Sequence, residues 1–162
     1  MLLLLKRVGT KIDIAKLSSE LGIARDSVYS YMSFLEKTYF IKLISSYSKS
    51  IDREISGRKK IYVCDTGIAN YFGKPDEGKL LENAILNNLK DYGEVKYYER
   101  RTGGEVDFLL PDKKIALEIK QKGNGPDYAQ LKKISKDINF SECYVITKKF
   151  VDEKGFVLAS DV

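Results

Sequence analysis

Residues 103–122 read GGEVDFLLPDKKIALEIKQK, two apolar runs joined by a short turn, each carrying acids among residues suited to burial. Phe108, Leu109 and Leu110 in the first run, and Ile115, Ala116, Leu117 and Ile119 in the second, flank PDKK, whose proline and aspartate favour a turn. As strands, the runs point successive side chains to opposite faces. Val106 and Phe108 then share one face and Glu105 and Asp107 the other. The same parity sends Leu117 and Ile119 toward the core and Glu118 and Lys120 the opposite way. Paired with their polar faces aligned, the strands bring Asp107, Glu118 and Lys120 to one small patch.

Two carboxylates that close repel by about 4 kcal/mol at ~4 Å and an effective dielectric near 20, unless a proton, a cation or solvent intervenes. A divalent metal removes the conflict, and Mg²⁺ is commonly held by one or two carboxylates plus phosphate oxygens. The alternative is that Glu118 and Lys120 form a same-face surface ion pair worth about 0–1 kcal/mol. These residues by themselves leave both readings open.

The absence of histidine narrows the chemistry further. It excludes Ser-His-Asp and Cys-His triads, histidine zinc sites and any nuclease scheme with a histidine general base. Catalysis has to come from carboxylates, lysine, tyrosine or a metal. No GxxxxGKS or GxxxxGKT loop is present, because Gly73-Lys74 is followed by Pro75, so the chain does not bind ATP by that device. Cys64 and Cys143 each sit in an apolar strand-like run and read as small core residues of a reducing cytoplasm rather than as a disulfide framework or a zinc site. The 28 basic residues against 23 acidic give a net charge of +5, compatible with a polyanionic partner. The opening MLLLLKRV is too short an apolar run for a signal peptide or a membrane span and reads as the face of a short first helix.

The 162 residues suffice for one ordinary domain or two small ones, and the pattern divides them at 1–73 and 74–162. In the first module IDIAKLSSELGIARDSVYSYMSFLE has helix-turn-helix spacing. Ile14, Leu17 and Leu21 form one apolar face, Gly22 ends the helix, and a second helix over about 25–38 buries Val28, Met32 and Leu35. FIKLISSYS and KKIYVCD read as two strands with a polar loop between them, completing a winged helix. In such a module the second helix often enters the DNA major groove and the wing nears phosphates. The candidate contacts are Arg25, Ser27 and Tyr29, beside Asp26 and Ser30, and, on the wing, Lys49, Arg53, Arg58, Lys59 and Lys60. Such modules also serve as protein adaptors. DTGIANYF reads as a short helix beneath the wing, and GKPDEGK as the boundary.

The second module begins with a helix over about 77–92 whose apolar stripe contains Glu82. Strands at EVKYYERR and at the two runs above follow, then a helix near 127–138, a strand at ECYVITKKF and a last one near GFVLAS. The expected class is α/β, in the α+β sense, with a mixed sheet. Tyr92, Tyr97, Tyr98 and Tyr144 read as core or sheet-face aromatics. Arg100, Arg101, Lys122, Lys132, Lys133 and Lys136 are candidates for a cationic rim.

The helix acid in LLENAIL, then GEVDFLL, then LEIK in the next strand, resembles the PD-(D/E)xK nuclease superfamily, whose cores follow this order of elements. More narrowly, KKIYVCDTGIANYF followed by RRTGGEVDFLL and ALEIK is similar to the C-terminal region of prokaryotic AAA-type ATPases that end in a DUF4143-type domain, where an ATPase module precedes a winged helix and a nuclease-like domain. The resemblance spans residue 10 or so to the end. It implies that Glu82, Asp107, Glu118 and Lys120 are catalytic, and that Asp107, Glu118 and the carbonyl of Ile119 hold Mg²⁺ or Mn²⁺. Glu82 completes that set or supports a second ion, Lys120 orients water or stabilises developing charge, and Glu105 is a rim residue or a fifth acid. Val106-Asp107 replaces the proline-aspartate of the motif. The implied reaction is hydrolysis of DNA in the cytoplasm, with an ATPase as partner and no membrane. A non-catalytic module that docks DNA or a protein to an ATPase is the other reading.

Overall fold

The computed structural model describes residues 1–100 and 103–162. In the N-terminal part a short helix α1 (Leu2–Leu5) leads into a two-residue strand β1 (Thr10–Lys11), and helices α2 (Ile14–Leu21) and α3 (Arg25–Lys37) follow. Asp13 caps α2 by accepting the Lys16 N–H, and Gly22 ends it with φ +64°, which a residue without Cβ adopts at no cost. Leu17, Val28 and Met32 then pack with Leu4, Ile12, Ile41 and Ile61, with Leu35 at the margin. Strands β2 (Ile41–Ile44) and β3 (Lys60–Val63) are antiparallel, and β1 joins β3 on its other side, in the order β1-β3-β2.

Two expectations are corrected here. The polar loop expected between β2 and β3 contains a helix, α4 (Ile51–Ser56), none of whose residues is buried. Cys64 is exposed rather than a core residue, because β3 ends one residue before it. DTGIANYF is helical, as expected, starting as the turn α5 (Thr66–Ile68) and continuing as a π-helical turn over Ala69–Gly73 that packs on α1, where a Cβ on Gly73 would stand 2.4 Å from the Leu5 carbonyl oxygen.

The C-terminal part opens with α6 (Glu77–Asn88), capped by Asp76 on the Lys79 N–H and extended by a 3₁₀ turn over Leu89–Tyr92. Then come β4 (Lys96–Glu99), β5 (Glu105–Leu110), β6 (Ile115–Lys120), α7 (Gly125–Asp137), β7 (Glu142–Thr147) and β8 (Phe156–Leu158). The five strands form one mixed sheet in the order β4-β5-β6-β7-β8, antiparallel from β4 to β6 and parallel from β6 to β8. A reciprocal capping box, Asn124 with Asp127, starts α7. The fold class is α+β with a mixed sheet, as the order of elements required.

α7 covers one face of this sheet through Leu131, Ile134 and Ile138 against Val106, Leu109, Ala116 and Val145. The other face packs on α6 through Ile85, Leu86 and Leu89, and the same cluster takes in Leu5, Val8, Ile44, Tyr62 and Val63. The apolar core is therefore continuous from residues before 73 to residues after 74. The open edge of β4 is also covered, because Tyr97 exchanges backbone hydrogen bonds with Ser45 and Tyr47. No helix among the described residues is long and apolar enough to cross a membrane.

Candidate functional site

The alternation expected for Val106 and Phe108 fails, and that failure creates the site. Lys96 of β4 stands opposite Leu109, but Tyr98 stands opposite Val106, so two residues of β5, Asp107 and Phe108, face the single residue Tyr97. This is a β-bulge, which bends a strand and re-aims a side chain. Val106 consequently lies on the α7 face, with Leu109, while Phe108 lies on the α6 face. The pairing of β5 with β6 runs from Leu110↔Ile115 to Phe108↔Leu117 and stops. Beyond it the Ile119 N–H donates to Asp107 Oδ2 at 2.8 Å. Asp107 thus sits in the gap where the two strands part.

Glu118 and Lys120 follow the expected parity, opposite Leu117 and Ile119, and Lys120 Nζ lies 2.8 Å from Glu118 Oε1. The ion pair of the plainer reading exists, yet it is not a surface pair, because the Glu118 side chain is only 16% exposed. Glu82 arrives from α6. Tyr62 OH donates to Glu82 Oε1 at 2.5 Å, and Lys60 Nζ stands 3.3 Å from the same oxygen. Glu82 Oε2 faces Gly9, where a Cβ would lie 3.3 Å away and φ is +71°. Glu105 is paired with Lys60 and lies 3.6 Å from Lys11.

Burial raises the pKa of Glu82 to about 7, and the charge of Asp107 adds to the effect against the opposing pull of Lys60 and Tyr62. Glu118 is pushed to about 7 for the same two reasons, burial first and Asp107 second, with Lys120 opposing. Asp107 is itself raised by burial, against Lys60, the Ile119 N–H and Lys120. Burial alone would lower Lys60, but Glu82, Asp107 and Glu105 outweigh it and hold the ammonium charged. Burial and the Glu82 charge keep the Tyr62 phenol protonated. Asp107 is therefore the charge felt both by Glu82 on the α6 side and by Glu118 beside Lys120, and Glu118 and Lys120 line a small pocket with Glu105, Asp127 and Gln130.

Lys60 requires a correction. It was expected on the wing as a phosphate contact, but it is 4% exposed and inside β3, where its ammonium has no access to a DNA backbone. Arg25, Tyr29, Arg58 and Lys59 line one cleft of about 570 Å³ between α3 and the α4–β3 connection. Arg58 also pairs with Asp13 at 3.0 Å. Ser27 is half-buried and does not line that cleft. Lys49 lies with Arg53, Arg58, Arg100 and Lys11 along a second, larger cleft of about 1250 Å³ beside β4. Tyr97 is buried, Tyr98 and Tyr144 are half-buried on sheet faces, and Tyr92 is exposed. Lys122, Lys132, Lys133 and Lys136 face solvent, Arg100 pairs with Asp137, and Arg101 lies outside the described residues.

The sequence reading missed Tyr62 and Asn83. Asn83 is fully buried on α6; its Oδ1 accepts the Val63 N–H at 2.8 Å and its Nδ2 donates to the Val63 carbonyl at 2.9 Å, so it bolts β3 to the helix that carries Glu82. The available signal was parity: in KKIYV, Lys60 and Tyr62 fall on one strand face, and a lysine within a strand differs from one ahead of it.

Comparison with protein-family models matches residues 1–78 to DUF8612, a domain of unknown function, and residues 77–155 to DUF4143, also a domain of unknown function. Residues 77–155 are a DUF4143-type domain. Comparison with curated proteins and with solved structures gave no match. The DUF4143-type domain contains Glu82, Asp107, Glu118 and Lys120, whereas Lys60 and Tyr62 belong to the segment ahead of it.

Proposed function

We propose that the chain hydrolyses phosphodiester bonds in DNA at the Asp107, Glu118 and Lys120 hollow, and that its helix-turn-helix segment acts as a winged-helix DNA-binding or adaptor module beside an ATPase. The observation that carries this reading is the bulge at Asp107 and Phe108, which turns an acid out of strand alternation and into the gap between β5 and β6. Burying carboxylates whose pKa values are pushed up costs stability, and such groups gather where chemistry is done.

The donor set suits a hard divalent cation. Asp107 Oδ2 is engaged by the Ile119 N–H and Glu118 Oε1 by Lys120, so each carboxylate still has a second oxygen. Two carboxylates with the neighbouring Ile119 carbonyl match what Mg²⁺ or Mn²⁺ takes when water and phosphate oxygens complete the shell. Among the described residues no three His, Cys, Asp or Glu side chains are grouped to hold an ion. The fitting set is thus a two-carboxylate one, with Glu82 engaged by Lys60 and Tyr62. A bound ion supplies polarisation of the phosphate and a lower pKa for the attacking water.

The protein's own residues supply the rest. The bulge and the Ile119 N–H fix the Asp107 carboxylate, and pairing with β7 through Glu118↔Val145 fixes Glu118. Lys120, 39% exposed at its side chain, stands at the mouth of the hollow, where its charge orients the water or takes up developing negative charge. Arg25, Tyr29, Arg58 and Lys59, in their common cleft, are placed to bind DNA phosphates, with the cytoplasm as the place of action.

Plasmid and branched DNA incubated with Mn²⁺ test this reading. Cleavage by the wild type, reduced at least ~100-fold in Lys120→Ala and Asp107→Asn, supports it. Intact DNA, or cleavage that survives Lys120→Ala, overturns it. A second reading, a docking module that binds DNA or a protein without cutting, is favoured by the internal donor that each of the three acids already has. DNA retained in a gel shift but never cut would select it.

A further inference from the structure

Lys60, at 4% exposure, is the least exposed charged residue among the described residues. An ammonium out of water persists only where opposite charge surrounds it. All of that charge comes from the DUF4143-type domain: Glu82 Oε1 at 3.3 Å, the Glu105 carboxylate in direct contact, and Asp107 beyond them. The ring of Tyr97, its centroid 5.4 Å from Nζ, closes another side. Tyr62, two residues along β3, donates to the same Glu82 oxygen, while Gly9 backs the other one. Glu82 Oε1 is therefore engaged by two donors, while Oε2 lies against Gly9.

We propose that Lys60 is a tethered counter-ion that takes the place of a divalent cation on the Glu82 and Glu105 side of the acid site and keeps such an ion out. A group attached to the chain acts at an effective concentration of about millimolar or more. A free ion must displace it and also shed its own water, which Mg²⁺ does reluctantly. The reading of Asp107 and Glu118 as ligands is a separate step on which the single-ion count below rests. The counter-ion makes the acid site composite, because the segment ahead of the DUF4143-type domain supplies its charge balance.

Titration of the full chain with Mn²⁺, with the free ion read by electron paramagnetic resonance, tests this. The wild type and Lys60→Arg bind one ion per chain, and Lys60→Met binds one more. Lys60→Met that binds the same number of ions with affinity unchanged within about threefold overturns the proposal. A wild type that binds two ions also overturns it. A wild type that binds none beside a Lys60→Met chain that binds one upholds the counter-ion and removes Asp107 and Glu118 as ligands. Where Lys60→Met fails to fold in chelator, millimolar Mn²⁺ restores its circular dichroism, since the ion replaces the lost charge; a variant that stays unfolded with Mn²⁺ overturns the proposal.

Discussion

The Asp107 carboxylate stands in for a strand, accepting the Ile119 N–H at 2.8 Å where the ladder between β5 and β6 ends. One side chain thereby does two things: it satisfies a backbone donor that the parting strands release, and it sets a negative charge between Glu82 and Glu118. The two roles separate under substitution.

Asp107→Asn keeps an oxygen for the Ile119 N–H and removes the charge. Glu82 and Glu118 then lose the larger of their electrostatic causes of protonation, and both pKa values fall from about 7 toward the ordinary carboxylate range in a ¹³C carboxyl titration. Stability at pH 8 rises by about 1–2 kcal/mol while divalent-ion binding is lost, the exchange expected of a site kept for function. Two carboxylates that titrate as before would show that Asp107 is not the charge they share.

The same shifts set the pH dependence of the metal-free protein. Glu82 and Glu118 keep their protons up to about 7 when folded, whereas the unfolded chain releases them near the ordinary glutamate value of 4.5. Over that interval the native state holds more protons, so these groups make stability fall as pH rises, most steeply between the two values and no further above about 7. Below the unfolded pKa both states are protonated and the penalty vanishes. Lys60, raised above its usual value, contributes stability throughout this range and loses it only in strong alkali. Urea midpoints measured from pH 5 to 8 should decline and level, and a Glu82→Gln, Glu118→Gln double variant should flatten the decline. Mn²⁺ reverses the trend, because the ion binds the deprotonated carboxylates; midpoints that climb with pH in chelator contradict the raised pKa values.

Asn83→Leu removes the amide that pairs with both backbone groups of Val63. Asn87 Nδ2 still reaches the Val63 carbonyl at 3.2 Å, but the Val63 N–H is left buried and unpaired. The cost is about 1–3 kcal/mol, read as a lower urea midpoint. Because Asn83 holds α6 to β3, the variant also loosens Glu82 from Tyr62 and Lys60, and the Lys60 ammonium should become reactive toward acylating reagents. A destabilised chain whose Lys60 stays unreactive would confine Asn83 to stability.

Much of this was legible in the residues. The apolar spacing of Leu17, Val28 and Met32 and the left-handed Gly22 fixed α2 and α3 locally, since a helix answers to neighbours three and four positions away. The stripe through Ile85, Leu86 and Leu89 and the two runs around PDKK placed α6, β5 and β6 for the same reason. The wing loop failed because α4 buries nothing and so leaves no periodic apolar signature.

The sequence by itself determined the order and type of the elements other than β1 and α4, the absence of histidine chemistry, and an aspartate, a glutamate and a lysine on two consecutive strands. Only the tertiary structure decided that Asp107 leaves the alternation, since a bulge depends on the partner strand, where Tyr97 alone stands opposite two residues. Only the tertiary structure decided, too, that Lys60 is a buried partner of Glu82 and Glu105 rather than a solvated one on a wing. Burial is a property of what packs over a residue, and what packs over Lys60 comes from chain 22 to 45 residues further on, a separation that no local pattern encodes.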